Sequence, residues 1–163
     1  MLIPPSIKYT ICSASINNTF VPNGCAVDLA GEGKRYDEHI AELGGIDLQL
    51  LSIGLDVHIG FDETDKYFVK STHVVDLHES TIKANSRFFA NEDEVPKKAI
   101  TMGMVSIMQA KKILVVVSGK DKAEILKKVL YGAITPEVPA SILQLHNDVT
   151  IVADEAALSE IDK

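Results

Sequence analysis

Asp56, His58 and Glu63 stand close together in the run Gly54-Leu55-Asp56-Val57-His58-Ile59-Gly60-Phe61-Asp62-Glu63. A carboxylate hydrogen-bonded to one imidazole nitrogen fixes the tautomer and raises the basicity of the ring, which leaves the other nitrogen to exchange a proton with a substrate. Gly54 and Gly60 suit a tight loop that brings backbone close to a ligand. The apolar run Leu48 to Ile53, directly before, reads as a buried parallel strand. Ligands of an open parallel sheet bind beyond the carboxyl ends of its strands, so the histidine stands where chemistry is expected. The same residues also suit a plain polar turn after a strand, because a D-x-H triplet is common by chance.

A second stretch suits anion binding. Ile113 to Val117 is an unbroken run of β-formers and reads as an interior parallel strand that leads into Ser118-Gly119-Lys120-Asp121-Lys122. A strand, glycine, helix succession aims backbone N–H groups and a positive helix end at an anion in the crevice. The G-x-x-x-x-G-K pattern of a Walker loop is absent. Read alone, Lys120 and Lys122 are equally solvated lysines of a first helical turn. Arg87, beside Phe88 and Phe89, reads by itself as a packed stem paired with a carboxylate.

The elements that position these groups alternate. Pro22-Asn23-Gly24 signals a turn, Asp28 can cap a helix, and Leu29, Tyr36, Ile40 and Leu43 keep a helical period up to Gly44-Gly45. Lys34, Arg35, Asp37, Glu38 and His39 are expected on its wet side. Tyr67 to Val75 is strand-like, Thr81 to Asn85 begins a short helix, and Ile100, Met104, Ile107 and Met108 form an apolar stripe at helical spacing. Further on, Ile125, Val129 and Leu130 mark a helix, Ala140 to His146 a short helix with Leu143 and Leu145 packed, and Val149 to Ala153 a last strand before a short helix at Asp154. His146 is read as a capping or packing group. This order predicts a parallel sheet with helices on both faces.

Bulk properties limit the partners. The 163 residues carry 16 basic and 23 acidic side chains, a net charge of -7, with no Lys/Arg block, which argues against nucleic-acid or polybasic membrane roles. No apolar run approaches the roughly 20 residues that span a bilayer. Cys12 and Cys25, with no signal-like start, are expected as reduced thiols, and the protein as cytoplasmic. No metal ligand set and no cofactor motif is evident.

The central run resembles the G-x-x-D/N-G-H-I-G/A-F-N-E-P signature of glucosamine-6-phosphate deaminases and galactosamine-6-phosphate isomerases. Five further stretches follow in family order: Ala84-Asn85-Ser86-Arg87-Phe88-Phe89, Val95-Pro96, Ala99-Ile100-Thr101-Met102-Gly103, Ser118-Gly119-Lys120-Asp121-Lys122-Ala123, and Pro139-Ala140-Ser141-Ile142-Leu143-Gln144-Leu145-His146. The resemblance implies a Rossmann-like α/β fold and conversion of glucosamine 6-phosphate to fructose 6-phosphate and ammonia by an isomerase/hydrolase that needs no cofactor. It implies Asp56, His58 and Glu63 as the catalytic group, and Arg87, Gly119 and Lys122 as the phosphate site. Galactosamine-6-phosphate isomerase, a 6-phosphogluconolactonase-like enzyme and a non-catalytic sugar-phosphate-binding or dimerising remnant are the alternatives.

The resemblance runs over about residues 20–163, expected as one α/β domain, and residues 1–19 read as an irregular segment. A typical member carries a further early third, with a glycine- and threonine-rich phosphate loop and a D-E-Y segment whose aspartate moves a proton between sugar carbons. The chain is therefore expected to hold half of an active site, in a sheet truncated at its N-terminal side whose open edge invites a homo-oligomer. Val57 stands where the family has glycine, at a cost if positive φ is required. Asp62 stands where asparagine is usual, and is expected to add negative charge near His58, raise its pKa and weaken sugar-phosphate binding. His73 and Val75 stand where allosterically regulated members carry basic residues.

Overall fold

The computed structural model describes residues 18–54 and 57–161. Residues 1–17, most of the segment read as irregular, and the candidate catalytic residue Asp56 lie outside the described residues.

Helix α1 (Leu29–Glu42) begins where its sequence says it should, with the Asp28 side chain accepting from the Gly31 N–H. It ends in a Schellman motif: the Gly45 N–H reaches the Ile40 carbonyl at 2.9 Å and the Gly44 N–H the Ala41 carbonyl at 3.0 Å. Gly44 makes this possible at φ 85°, a conformation that a Cβ would penalise. Not all of the charged residues expected on the wet side lie there. Asp37 accepts from the Thr72 N–H at 2.9 Å, the Thr72 hydroxyl at 2.5 Å and the Ser106 hydroxyl at 3.2 Å, so it ties the helix to the chain beneath. Glu32 is 9% exposed and receives a fork from Arg35 and the Asn23 N–H.

The main sheet is parallel, in the order β1 (Leu48–Ser52), β4 (Lys112–Val117), β5 (Val149–Ala153). Leu51 stands beside Val115, and Val115 beside Ile151. These side chains point to the face that packs with Ile107, Leu126, Val129, Ala140 and Leu143 into the core. Helix α4 (Ala123–Tyr131) supplies Leu126 and Val129, and a 3-10 segment, Pro139–Leu145, supplies Ala140 and Leu143. Burying an aliphatic side chain of this size stabilises by about 1.5–3 kcal/mol, so this one face carries much of the fold.

The opposite face is open among the described residues. Leu48, Leu50, Val116 and Val152 are 57%, 62%, 43% and 53% exposed. The Leu48 to Ile53 run, read as a buried parallel strand, is parallel with one buried face, and among the described residues it pairs with β4 alone.

A second, antiparallel sheet pairs β2 (His73–Asp76) with β3 (Lys98–Thr101). This corrects two expectations. The strand-like run Tyr67 to Val75 contributes only its last residues, and Ile100 belongs to a strand, not to the helix. Helix α3 (Met104–Met108) starts after Gly103, with Met104 and Ile107 buried. Helix α2 (Glu79–Ser86) follows β2. Leu145 was expected to pack and is 64% exposed, and the residues after β5 form turns, not a helix.

Candidate functional site

The loop after β1 turns back on itself. Short bridges join Ile53 to Ile59 and Ile59 to Asp62, and the Gly54 N–H donates to the His58 carbonyl at 3.0 Å. The His58 ring lies directly on Gly54: a Cβ there would stand 1.9 Å from Cε1 and 2.2 Å from Nε2. Glycine is therefore required because the imidazole occupies the space of a side chain. Val57 adopts φ 58°, the left-handed conformation that glycine reaches without a Cβ penalty. A β-branched residue there costs on the order of 1–2 kcal/mol. The Val57 carbonyl accepts from the Ala140 N–H at 3.1 Å, which helps to hold it.

His58 and Lys122 line one cleft of about 600 Å³ at the carboxyl end of β1, with Gly54, Phe61, Thr101 and Tyr36. Lys122 reaches it from the 3-10 turn Lys120–Lys122 that leads into α4. Thus a group able to move a proton and a cation able to hold an anion face the same space.

The other expected site residues are placed elsewhere. Glu63 lines a second cavity of about 380 Å³ with Asp62, His73 and His78. Its carboxylate accepts from the His78 N–H at 3.1 Å and the Thr81 hydroxyl at 2.8 Å, so it anchors the start of α2. Arg87 is exposed and lies over the Phe88 ring, 4.7 Å from the centroid. It lines neither cavity.

The N–H of Gly119 donates to both carboxylate oxygens of Asp154, at 3.2 and 3.1 Å. The Ser118 hydroxyl adds a third bond at 2.6 Å and the Ala157 N–H a fourth at 2.8 Å. These donors hold the Asp154 carboxyl below the usual carboxylate range, the Ser118 hydroxyl contributing most. An anion already sits on the glycine, and it belongs to the chain. Sequence reasoning missed Asp154 because it was read only as the start of a helix.

Asp62 also departs from expectation. It is 5% exposed and lines the second cavity, and Thr101, which lines the first cleft, donates to it at 3.4 Å. Burial pushes its pKa up to about 7, against the smaller lowering effect of Thr101. It is therefore not a full added charge beside the imidazole at neutral pH. His146 takes the packing role read from the sequence: Nδ1 accepts from the Asp148 N–H at 3.0 Å and Nε2 meets the Ala110 carbonyl at 2.8 Å. Among the described residues, no group of His, Cys, Asp and Glu is arranged to hold a metal ion, and no helix is long and apolar enough to cross a membrane.

Comparison with known proteins gives this geometry a context. Residues 9–152 match the family described as glucosamine-6-phosphate isomerases/6-phosphogluconolactonase. A glucosamine-6-phosphate deaminase of Lachnoclostridium phytofermentans is 61% identical over 135 residues, 83% of this chain and 57% of the relative. One from Clostridioides difficile is 53% identical over 145 residues, 89% of this chain and 58% of the relative. The structure of a monomeric glucosamine-6-phosphate deaminase of the NagB superfamily superposes with TM-score 0.82 at 50% identity, covering 86% of this chain and 58% of that one. The 6-phosphogluconolactonase of Trypanosoma cruzi shares the fold, with TM-score 0.60 at 17% identity over 82% of this chain and 52% of that one. The chain thus spans a little under three fifths of the length of the deaminases it resembles.

Proposed function

The chain belongs to the family of glucosamine-6-phosphate isomerases and 6-phosphogluconolactonases, and within it we propose that it carries the ring-opening and phosphate-holding part of an amino-sugar phosphate deaminase. The observation that supports this reading is the cleft shared by His58 and Lys122, on a chain 50% to 61% identical to proteins named glucosamine-6-phosphate deaminase.

In this reading the phosphate of glucosamine 6-phosphate is held by Lys122, with the Gly119 turn as a further group; Arg87, which lines neither cavity here, joins the site only if the end of α2 moves toward it. Asp154 must release the Gly119 N–H for that turn to take part. His58, oriented by Asp56, moves a proton to and from the ring oxygen and opens the pyranose. Glu63 acts on the same loop from the opposite side through its bonds at the start of α2. A proton shift from C2 to C1 then turns the aldehyde and amine into a C1 alcohol and a C2 imine. Water hydrolyses the imine to the ketone of fructose 6-phosphate and ammonia leaves. The proton shift needs a base that we do not assign to any described residue. The cytoplasm, where sugar phosphates are kept, is the compartment this function requires.

Assembly belongs to the same proposal. Among the described residues β1 pairs with β4 alone, and a second chain adding a strand along its outer edge would extend the sheet. A sedimentation mass of twice 17.7 kDa is the expected result, and a monomer at all concentrations would remove this part.

The activity is tested by titrating glucosamine 6-phosphate into the purified chain and measuring ammonia release. Binding that is weakened at least tenfold in Lys122→Ala is the expected pattern, and any ammonia release by the parent chain is expected to be abolished in His58→Ala. Binding unaffected by both substitutions would sink the proposal.

A further inference from the structure

The cavity behind the His58 loop contains an arrangement that the proposed reaction does not use. His73 and Thr101 are directly opposed across the β2–β3 pair, and both address the carboxylate of Asp62. The Thr101 hydroxyl donates to Oδ2 at 3.4 Å and also accepts the Phe61 N–H at 3.1 Å. His73 Nε2 stands 3.6 Å from Oδ1. The turn that delivers Asp62 is the one that bears Gly60 and His58, closed by the Asp62 N–H on the Ile59 carbonyl at 3.0 Å.

We propose that Asp62 and His73 form a one-proton latch that fastens the His58 loop to the β2–β3 sheet and releases it when the shared proton is lost.

The geometry requires the proton. His73 Nδ1 lies 2.9 Å from the Ser71 carbonyl, which can only accept, so Nδ1 carries a hydrogen. In the neutral ring Nε2 is then a bare lone pair, and it faces a carboxylate oxygen, also an acceptor. At 3.6 Å, longer than a hydrogen bond, the contact turns attractive when the Asp62 carboxyl carries a proton and points it at Nε2. Without it, two acceptors face one another and a carboxylate that is 5% exposed is left charged with Thr101 as its side-chain donor.

The surroundings favour keeping the proton. On the loop side stand Glu63 and Asp65, on β2 Asp76, and before α2 His78, all lining the same cavity. From α1, Asp37 holds Thr72, the neighbour of His73. From β3 the facing group is Thr101, since Lys98 is taken by Asp76 at 2.8 Å. The groups contributed by α3 and by the segment before Pro139–Leu145 are Met104, Pro136 and Pro139. Among the described residues no lysine or arginine lines this cavity, so no fixed positive charge there offsets Asp62. Its pKa, raised to about 7 by burial, puts release near neutrality.

The consequence for catalysis rests on the function proposed above, whereas the latch itself does not. The test is therefore made without substrate. The ¹⁵N resonances of His73 are followed from pH 5 to 9, together with amide exchange at Phe61 and Asp62, corrected for the intrinsic rise with pH. In the parent chain, exchange at both amides is expected to accelerate at least tenfold as the pH rises through neutrality, in step with the His73 resonances. In Asp62→Asn the carboxamide donates to Nε2 at every pH, and the corrected exchange should stay flat. His73→Gln, whose side-chain NH₂ also donates to Asp62, should reduce the acceleration as well. Equal pH profiles in the parent and Asp62→Asn, or a neutral His73 with its hydrogen on Nε2, would overturn the latch. Failure of the chain to bind sugar phosphate at any pH counts against the proposed function and leaves this readout intact.

Discussion

The imidazole of His58 rests on the Cα of Gly54, where a side chain would stand 1.9 Å from its Cε1. The position of the proposed acid/base group is thus set by the absence of an atom on Gly54, two residues beyond β1. Gly54→Ala must push the ring out of the cleft or move the loop. Ammonia release in the active enzyme is expected to fall at least tenfold, with a stability loss of about 1–3 kcal/mol from the enforced shift. A crystal structure of the variant with His58 unmoved would refute this placement.

Val57 holds φ 58°, which glycine reaches without the Cβ penalty. Val57→Gly removes strain of about 1–2 kcal/mol, offset in part by the extra chain freedom of glycine in the unfolded state. Urea unfolding should show a net gain of up to about 1 kcal/mol. A marked loss would mean that the valine side chain contributes packing that outweighs its backbone strain.

Leu50 and Leu51 are neighbours with opposite surroundings, 62% and 7% exposed. Leu51→Ala is expected to cost about 2–4 kcal/mol by opening a cavity against Ile113 and Val115. Leu50→Ala should change stability by less than about 0.5 kcal/mol. Chemical denaturation of the two variants measures the difference. Equal costs would show that the outer face is covered in solution.

The dependence of stability on pH has two limbs of opposite sign. Glu32 is held down to about 2, chiefly by its hydrogen bonds from Arg35. Its contribution is present above its ordinary 4.5 and is lost as the pH falls toward that value and below. Asp62 is raised from 3.8 to about 7, so its contribution is full below 3.8 and is lost as the pH rises through 7. Thermal melts should therefore be highest at about pH 4–5 and decline toward pH 8, by more than about 1 kcal/mol in stability. Asp62→Asn should abolish the alkaline decline and leave the acid limb unchanged. A decline that persists in this variant would assign it to another group.

Much of the scaffold was determined by local sequence. Asp28 and Gly44-Gly45 fix both ends of α1 because a side-chain cap and a left-handed glycine act within a few residues. The β-formers of Ile113 to Val117 make a strand for the same reason, and the glycines around His58 announce its tight loop before any contact is known. The family, too, was written in the motifs. What the tertiary structure decided are the pairings between distant segments. Lys98–Thr101 became a strand because β2 offers it a partner, although Ile100 matches the helical period of the residues after it. Glu63 and His58 are five positions apart but line opposite sides of the loop, because the bridges at Ile59 turn the chain between them. Asp62 found Thr101 across 39 residues and His73 beside it, and burial there, not residue type, sets its charge. Periodicity and capping are short-range and can be read along the chain, whereas burial and hydrogen-bond partners depend on which surfaces meet.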